Sequence, residues 1–571
     1  MNDQRRVLLA FLLMVVVLAG TQWWYSRMAP GEVPPAAPDS TAVAPSLRDE
    51  EPAPDPAAPL PAVPEPTAAA PDSIPGMAGP PGEAPDRAAP PGDSLEALPG
   101  PVVVETPLYR LTIDPRGGVL RQVELLRYPS YTSSGPVRLV PEEAAFLNRA
   151  ANLGGRRVAL AATRYVANDT LLRLPAGAEP ATLRLVSAGA GPRIEQTYRF
   201  DPDSYVIGVE TRFGDPANGV LVTGIGPRLL SNEKNPREDY SQLRAVARVD
   251  GEVVDHQAGD LDEGDGVSLG GEVEWAGLRN KYFLAMVLAP ADGPPLSAAS
   301  LRGEPGDSLP TLEVGVAAPI VDGVSAHRLY LGPQEYSRLA AINDGLDDVN
   351  QYGWSWIRWM LSPFAKAIVL VMLWLHRFIP SYGLVIVVFA VLVKIVTWPL
   401  TTKSYRSIRA MQELQPEIQR IRERHKEDPQ KMQAETMRLY RERKVNPMGG
   451  CLPNLLPMPI LFALFFVFQS TIEFRGQSFL WLPDLSQADP LYILPVFLGL
   501  SMLASSKLTT TSDPRMAAMT YVMPIVLTFV FLNLAAGLVL YYAISNVLMF
   551  GQQWNLKRRF DLRAAPAEAG G

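Results

Sequence analysis

Between Gly383 and Leu400 the chain is apolar enough to cross a bilayer, yet a lysine, Lys394, sits inside the run. At helical rise the run is about 27 Å long, close to the thickness of a hydrocarbon core, and Lys394 lies about 9 Å from its nearer end. A cation at the centre of a membrane helix costs about 3 kcal/mol. Such a residue either snorkels its stem to the near interface or faces a polar, hydrated cavity between helices. This feature makes the chain a membrane protein. The other segments decide which of the two alternatives holds.

A length of 571 residues exceeds a single core and implies several modules. Mean hydropathy is near zero because very polar and very apolar blocks cancel. The net charge of -7 is modest and selects no partner class. The single cysteine, Cys451, excludes an intramolecular disulfide, and the four histidines show no metal-ligand spacing. His256 and His327 have no evident partner, and no nucleophile constellation is found. No enzyme activity, metal or cofactor is expected.

Arg5 and Arg6 precede an apolar run from Val7 to Trp24 with Trp23, Trp24 and Tyr25 behind it. The run is longer than a signal-peptide core and lacks a small-residue cleavage site. Residues 1–28 therefore read as an uncleaved anchor with a cytoplasmic N-terminus. Residues 29–101 are a Pro/Ala spacer that cannot bury a core. From 102 to 345 the character is all-β. Leu108–Asp114 alternates before a turn at Arg116-Gly-Gly118, Arg193–Phe200 and Tyr205–Phe213 form a hairpin, and Ala326–Leu331 is a further strand. A large antiparallel sandwich is expected there. Its acidic stretch Asp260–Gly266 is out of register for a calcium loop and reads as a solvated loop.

Residues 346–380 mix Trp354, Trp356, Trp359 and Trp374 with Arg358, Lys366, His376 and Arg377. They are expected to form an amphipathic helix in the interface, a span over Ala367–Leu375 being the alternative. A core over 381–556 supplies spans near 383–400, 452–470, 491–506, 517–534 and 537–551. Together with the anchor these give a six-helix transmembrane bundle. The spacing of Leu414, Ile418 and Ile421, and Asp428-Pro429 as N-cap and first helical residue, predict a helical hairpin over 401–447. Its dozen Lys and Arg place it in the cytoplasm, and the same rule makes 557–571 a basic cytoplasmic tail and puts the β domain outside.

Lys394-Ile-Val-Thr-Trp-Pro-Leu-Thr401, Leu414-Gln-Pro-Glu-Ile418, Val445–Pro453, Met458-Pro459 and Gly537–Asn546 together resemble the YidC-type membrane protein insertases (the YidC/Oxa/Alb family), in the Gram-negative form with a large periplasmic domain. Gly117-Gly118 and Leu331-Gly-Pro333 extend the resemblance into the β domain, so that it runs from about 102 to 560. It implies five helices around a groove open to cytoplasm and lipid but closed toward the periplasm. A characteristic arginine in the groove attracts the polar part of an incoming segment. It further implies nascent membrane proteins as clients, the Sec translocon and the ribosome as partners, the lipid bilayer as surroundings, no direct nucleic-acid contact, and residence in the bacterial inner membrane. Lys394 stands where that arginine is usual, keeping the charge without the planar fork. Pro457 stands where a polar Gln is frequent, and Asn454, a turn earlier, is the replacement.

Six residues are the candidates for lining such a groove: Lys394, Asn454, Thr520, Tyr542, Ser545 and Asn546. Each neutral one reads equally well as glue between helices. No acid lies in any span to neutralise Lys394. A short helix at 491–506, about 24 Å long, favours local thinning of the bilayer. The main rival is a secondary transporter using the intramembrane lysine, which would want paired ionisable groups and a helical repeat. A sugar-binding or sugar-modifying periplasmic enzyme is the second, resting on fold analogy alone.

Overall fold

The computed structural model describes residues 100–564, except 143, 145, 190, 261–265, 305–309, 343, 354–355, 444, 446–457 and 510–513. The anchor, nearly all of the spacer, most of the acidic loop, Trp354, Cys451 and the last seven residues lie outside the described residues. Two bodies follow one another: a β-sandwich-rich domain with strands from Val102 to Pro333, and a helical region from Arg358 onward.

Alternation builds the sheets. Along Ile194–Phe200 the side chains of Ile194, Gln196, Tyr198 and Phe200 are buried while Arg199 is exposed. This strand pairs antiparallel with Val206–Phe213, from Ile194 opposite Phe213 to Phe200 opposite Ile207. Val324–Pro333 adds to the other edge of the hairpin and pairs in turn with Phe283–Leu288, every residue of which is buried. These belong to a fourteen-stranded sheet; a five-stranded sheet packs with it through one shared core. One departure from antiparallel order appears: Val102–Glu105 runs parallel to Leu171–Arg173. Inside the sandwich, Arg149 donates to Gln196 Oε1 at 2.9 Å and to the Tyr198 hydroxyl at 2.6 Å. His327 is buried nearby, and desolvation, with Arg149 adding to it, lowers its ring to about 3, so it is neutral.

Among the described residues the helices are α1 (Pro236–Tyr240), α2 (Tyr336–Ile342), α3 (Arg358–His376), α4 (Tyr382–Arg424), α5 (Pro429–Glu442), α6 (Met458–Ser470), α7 (Ile493–Thr509), α8 (Pro514–Phe531) and α9 (Ala536–Ala564). The first two belong to the sandwich side; α3 and α4 are long and apolar enough to cross a membrane. The inner face of α3 buries Leu361, Ala365, Ile368, Val369, Met372 and Leu375. Its outer face is also largely apolar, with Trp359, Phe364, Leu370 and Trp374 exposed. Proline normally ends a helix, yet α4 runs unbroken through Pro399 and Pro416. Thr397, Thr401 and Thr402 stand beside Pro399, and their hydroxyls turn back onto carbonyls of the preceding turn, as membrane helices tolerate. The α4 helix ends at Arg424 with His425 as its C-cap, and α5 folds back along it. Asp428 caps α5 by accepting from the Lys431 N–H at 2.9 Å, and Leu414, Ile418 and Leu439 form a small core between the two helices.

One feature knits the two bodies together, and another fastens the far end of the bundle. The segment 471–492 between α6 and α7 is wedged under the sandwich: Ile472 joins the sandwich core and Phe474 the helical core. Arg475 donates to Glu233 Oε1 at 2.8 Å, with both side chains almost fully buried, and donates to the Pro129 carbonyl at 2.9 Å while stacking over Tyr131. The Tyr131 hydroxyl in turn donates to Asp484 at 2.5 Å. At the other end of the bundle, Gln552 of α9 is buried against α4. It accepts from Thr401 at 3.0 Å and donates to the Trp398 carbonyl at 3.3 Å and to Thr402 at 3.0 Å. Gly383 is required where α4 meets the wedge, because a Cβ there would lie 2.1 Å from the Phe479 ring.

Two outcomes are expected from this packing. Gln552→Leu leaves hydroxyls and a carbonyl without their partner and should cost about 1–3 kcal/mol, read as thermal unfolding of the full chain in detergent. Glu473, in the wedge, accepts from the Tyr336 N–H at 3.1 Å. Desolvation pushes its carboxyl from 4.5 to about 7, with Glu335 adding in the same direction and backbone N–H groups opposing. Between those values the folded chain holds a proton that the unfolded chain releases, so stability falls as pH rises from about 4.5 to about 7. Part of Glu473 remains open to solvent. The effect is accordingly on the order of 1–2 kcal/mol, less than the full shift. Glu473→Gln should flatten this part of the pH–stability profile; an unchanged slope would assign it to other groups.

Candidate polar groove

The helix that carries Lys394 has two faces. Val385, Ile386, Phe389 and Ala390 are buried in the helical core, and Lys394 continues the stripe of Ile386 and Ala390 at four-residue spacing. Lys394 is itself only 8% exposed, whereas its neighbours Ile395 and Val396 are 61% and 77% exposed. The lysine therefore points into the bundle and the aliphatic residues point out. Snorkelling along the outer surface is the alternative this geometry disfavours. Among the described residues the Lys394 ammonium makes no ion pair and no hydrogen bond; its backbone carbonyl accepts from the Thr397 hydroxyl. A buried cation without a counter-charge is stable only where water or an incoming group can solvate it.

Lys394 faces a bundle in which α4 packs against α9 and α9 packs against α7. On α9, Asn546 is buried and donates to the Ser501 hydroxyl of α7 at 2.7 Å. Ser545, one residue earlier, shares a hydrogen bond with Tyr541. The Tyr542 ring packs 5.1 Å from Phe531 of α8, and its hydroxyl is buried without a hydrogen bond. Tyr541 reaches back to α4, its ring 6.0 Å from Phe389. Thr520 lies on α8 with its side chain outside what the structure describes, and Asn454 lies outside the described residues. The structure thus brings the elements of Lys394, Tyr542, Ser545 and Asn546 into one bundle. It ties Asn546 to α7, while the partner of Ser545, Tyr541, lies on the same helix.

Sequence reasoning missed Ser501, Ser505 and Gln552, all of which are inside the bundle. Ser501 and Ser505 repeat at helical spacing on α7, and Gln552 falls one residue beyond the expected end of its span. Both signals were present but carried no charge to mark them. Outward, Leu384, Val391, Leu392, Val496, Phe497, Leu500, Val522, Ile525 and Phe529 are exposed apolar side chains, the surface a bundle presents to lipid. A cation held inside an apolar-faced bundle can attract anionic or strongly dipolar groups entering from one side.

Two family models match. The 60Kd inner membrane protein family covers residues 374–563, and the YidC periplasmic domain covers residues 101–367. The membrane protein insertase YidC of Oleidesulfovibrio alaskensis is 36% identical over 484 residues, 80% of this chain and 86% of the relative. The protein of the same name from Syntrophus aciditrophicus is 33% identical over 80% of this chain and 85% of its own length. Among solved structures, a YidC insertase with its first transmembrane domain resolved matches 80% of this chain and 94% of its own length, at 18% identity and a TM-score of 0.34. With relatives matched along most of their length and both halves covered, the chain belongs to the YidC family of membrane protein insertases.

Proposed function

We propose that the chain is a membrane protein insertase of the bacterial inner membrane, accepting nascent membrane segments in a groove around Lys394 and releasing them sideways into lipid. The observation that carries this reading is a cation buried in an apolar-faced bundle with no described counter-charge. In a low-dielectric site such a charge attracts an acidic translocated tail far more strongly than water would allow. The neutral polar groups Asn454, Thr520, Tyr542, Ser545 and Asn546 complete the lining in this reading. No step makes or breaks a covalent bond, so no catalytic residue or cofactor is called for. The positive-inside rule supports both termini and the α4–α5 hairpin in the cytoplasm, the sandwich in the periplasm, and six spans with the anchor included. The hairpin, with its basic face, receives the client from the ribosome, and the bundle works alone or beside the Sec translocon.

The test pairs two substrates, one with an acidic and one with a neutral translocated tail, in a depletion strain with protein level followed in parallel. Lys394→Arg should insert both normally. Lys394→Ala should slow the acidic-tailed substrate about ten-fold, equivalent to about 1.4 kcal/mol, and spare the neutral one. Lys394→Glu should be worse than alanine for the acidic tail through repulsion. Normal insertion of both by Lys394→Ala would remove the charge from the mechanism. Deleting the hairpin tip around Asp428-Pro429 should impair insertion while the protein stays in the membrane; undiminished insertion would reduce the hairpin to a topological anchor.

A further inference from the structure

Where the sandwich rests on the helices, a cavity of about 190 Å³ opens. It is larger than a packing defect, which holds at most a water or two, and smaller than the ~300–1,000 Å³ of pockets for drug-sized ligands. Glu233, Glu238, Asp239 and Lys281 line it from the sandwich, and Gln469 and Asn533 line it from the helices. Three carboxylates stand against Lys281 and the Arg475 behind Glu233, which leaves one negative charge uncompensated.

The internal pairing shows which acceptors remain available. Lys281 donates its ammonium to Glu238 Oε1 at 3.0 Å and its backbone N–H to Asp239 Oδ1 at 3.2 Å. The wall of the cavity thus already holds one ammonium. The other oxygen of Glu233, Oε2, is buried without a partner. Gln469 is 9% exposed, lines the cavity and makes no side-chain hydrogen bond among the described residues. Buried polar groups are nearly always satisfied, and the buried Glu233 Oε2, on a residue of the cavity wall, together with the Gln469 amide that lines it, leaves room for a donor from outside the chain. No group of three His, Cys, Asp or Glu among the described residues is arranged for a metal ion. A group that carries both positive charge and N–H bonds suits the charge of this wall and its free acceptor. Gln469 lies one residue from the end of α6, and Asn533 lies in the turn between α8 and α9, so the cavity sits at the rim of the apolar helices.

We propose that this cavity binds a primary ammonium group, presented by a lipid headgroup or by a small soluble amine. Its N–H bonds go to the free oxygen of Glu233 and to the Gln469 side-chain oxygen, with Glu238 and Asp239 supplying charge. The occupant touches both bodies and so fastens the sandwich to the bundle.

The test uses the purified full chain in nanodiscs of phosphatidylcholine, whose headgroup has no N–H. Labelled ethanolamine is added to one set, and phosphatidylethanolamine replaces a fraction of the lipid in another. Binding and the midpoint of thermal unfolding are read in both. The expected result is saturable binding of at least one amine with a raised midpoint, no competition by choline, and at least ten-fold weaker binding in Gln469→Leu and in Ala488→Trp, which fills the cavity. Neither change touches the Arg475–Glu233 pair. A variant that lacks a cooperative transition without ligand is set aside in favour of the other. Response to the lipid alone identifies a headgroup site, and equal response to free ethanolamine identifies a soluble ligand. Absence of saturable binding by either amine, equal competition by choline, or wild-type affinity in both folded variants would overturn the proposal.

Discussion

The guanidinium of Arg475 and the carboxylate of Glu233 meet at 2.8 Å with almost no water around either. Taking two charges out of water costs several kcal/mol each, and only close pairing with further hydrogen bonds offsets it. Here the Pro129 carbonyl and the Tyr131 ring complete the shell of Arg475. The junction between sandwich and helices depends on that compensation, because breaking a buried pair from one side leaves an unpaired charge. Lys394 is handled in the opposite way. It is buried among helices and, among the described residues, pairs with no acid, so in the proposed reading its cost is met by what enters from outside. The same physics thus builds a closed, permanent contact at one end of the bundle and an open, unfilled demand in its middle.

Much of this was legible in the sequence. Alternation marked the Ile194–Phe200 and Val206–Phe213 hairpin because one face of each strand is dry and the other wet. A lone lysine in an apolar run marked the inward face of α4, since charge is the feature lipid tolerates least. Asp428-Pro429 marked the start of α5 because only a short acceptor and a residue lacking N–H suit a helix N-terminus.

Other features left no readable trace. Arg475 and Glu233 are 242 residues apart, and neither side chain announces its partner. The amide of Gln552 and the hydroxyls of Ser501 and Ser505 interrupt no hydrophobic pattern, so their place inside the bundle emerges only from helix packing. Pro399 and Pro416 read locally as stops, while α4 continues through both. The parallel pairing of Val102–Glu105 with Leu171–Arg173 is set by long-range topology. Asn546 of α9 was picked out by residue type, but its hydrogen bond to Ser501 of α7 was not legible. Whether a side chain is spent on a neighbouring helix is decided by the rotation of that helix.

The contact of Gly383 with Phe479 has a mechanical consequence. It sets a fulcrum at the start of a helix of 43 residues, about 64 Å long. From Tyr382 to Trp398 no proline interrupts the rod, so this part tilts as one piece. A rotation of about 5° about the fulcrum would shift Lys394, roughly 16 Å along, by only about 1.4 Å. The same rotation sweeps the far end by more than about 5 Å if the helix stays straight. The α4 helix thus has the geometry of a lever: a displacement at its hairpin end would be geared down to one about a quarter as large at the buried charge.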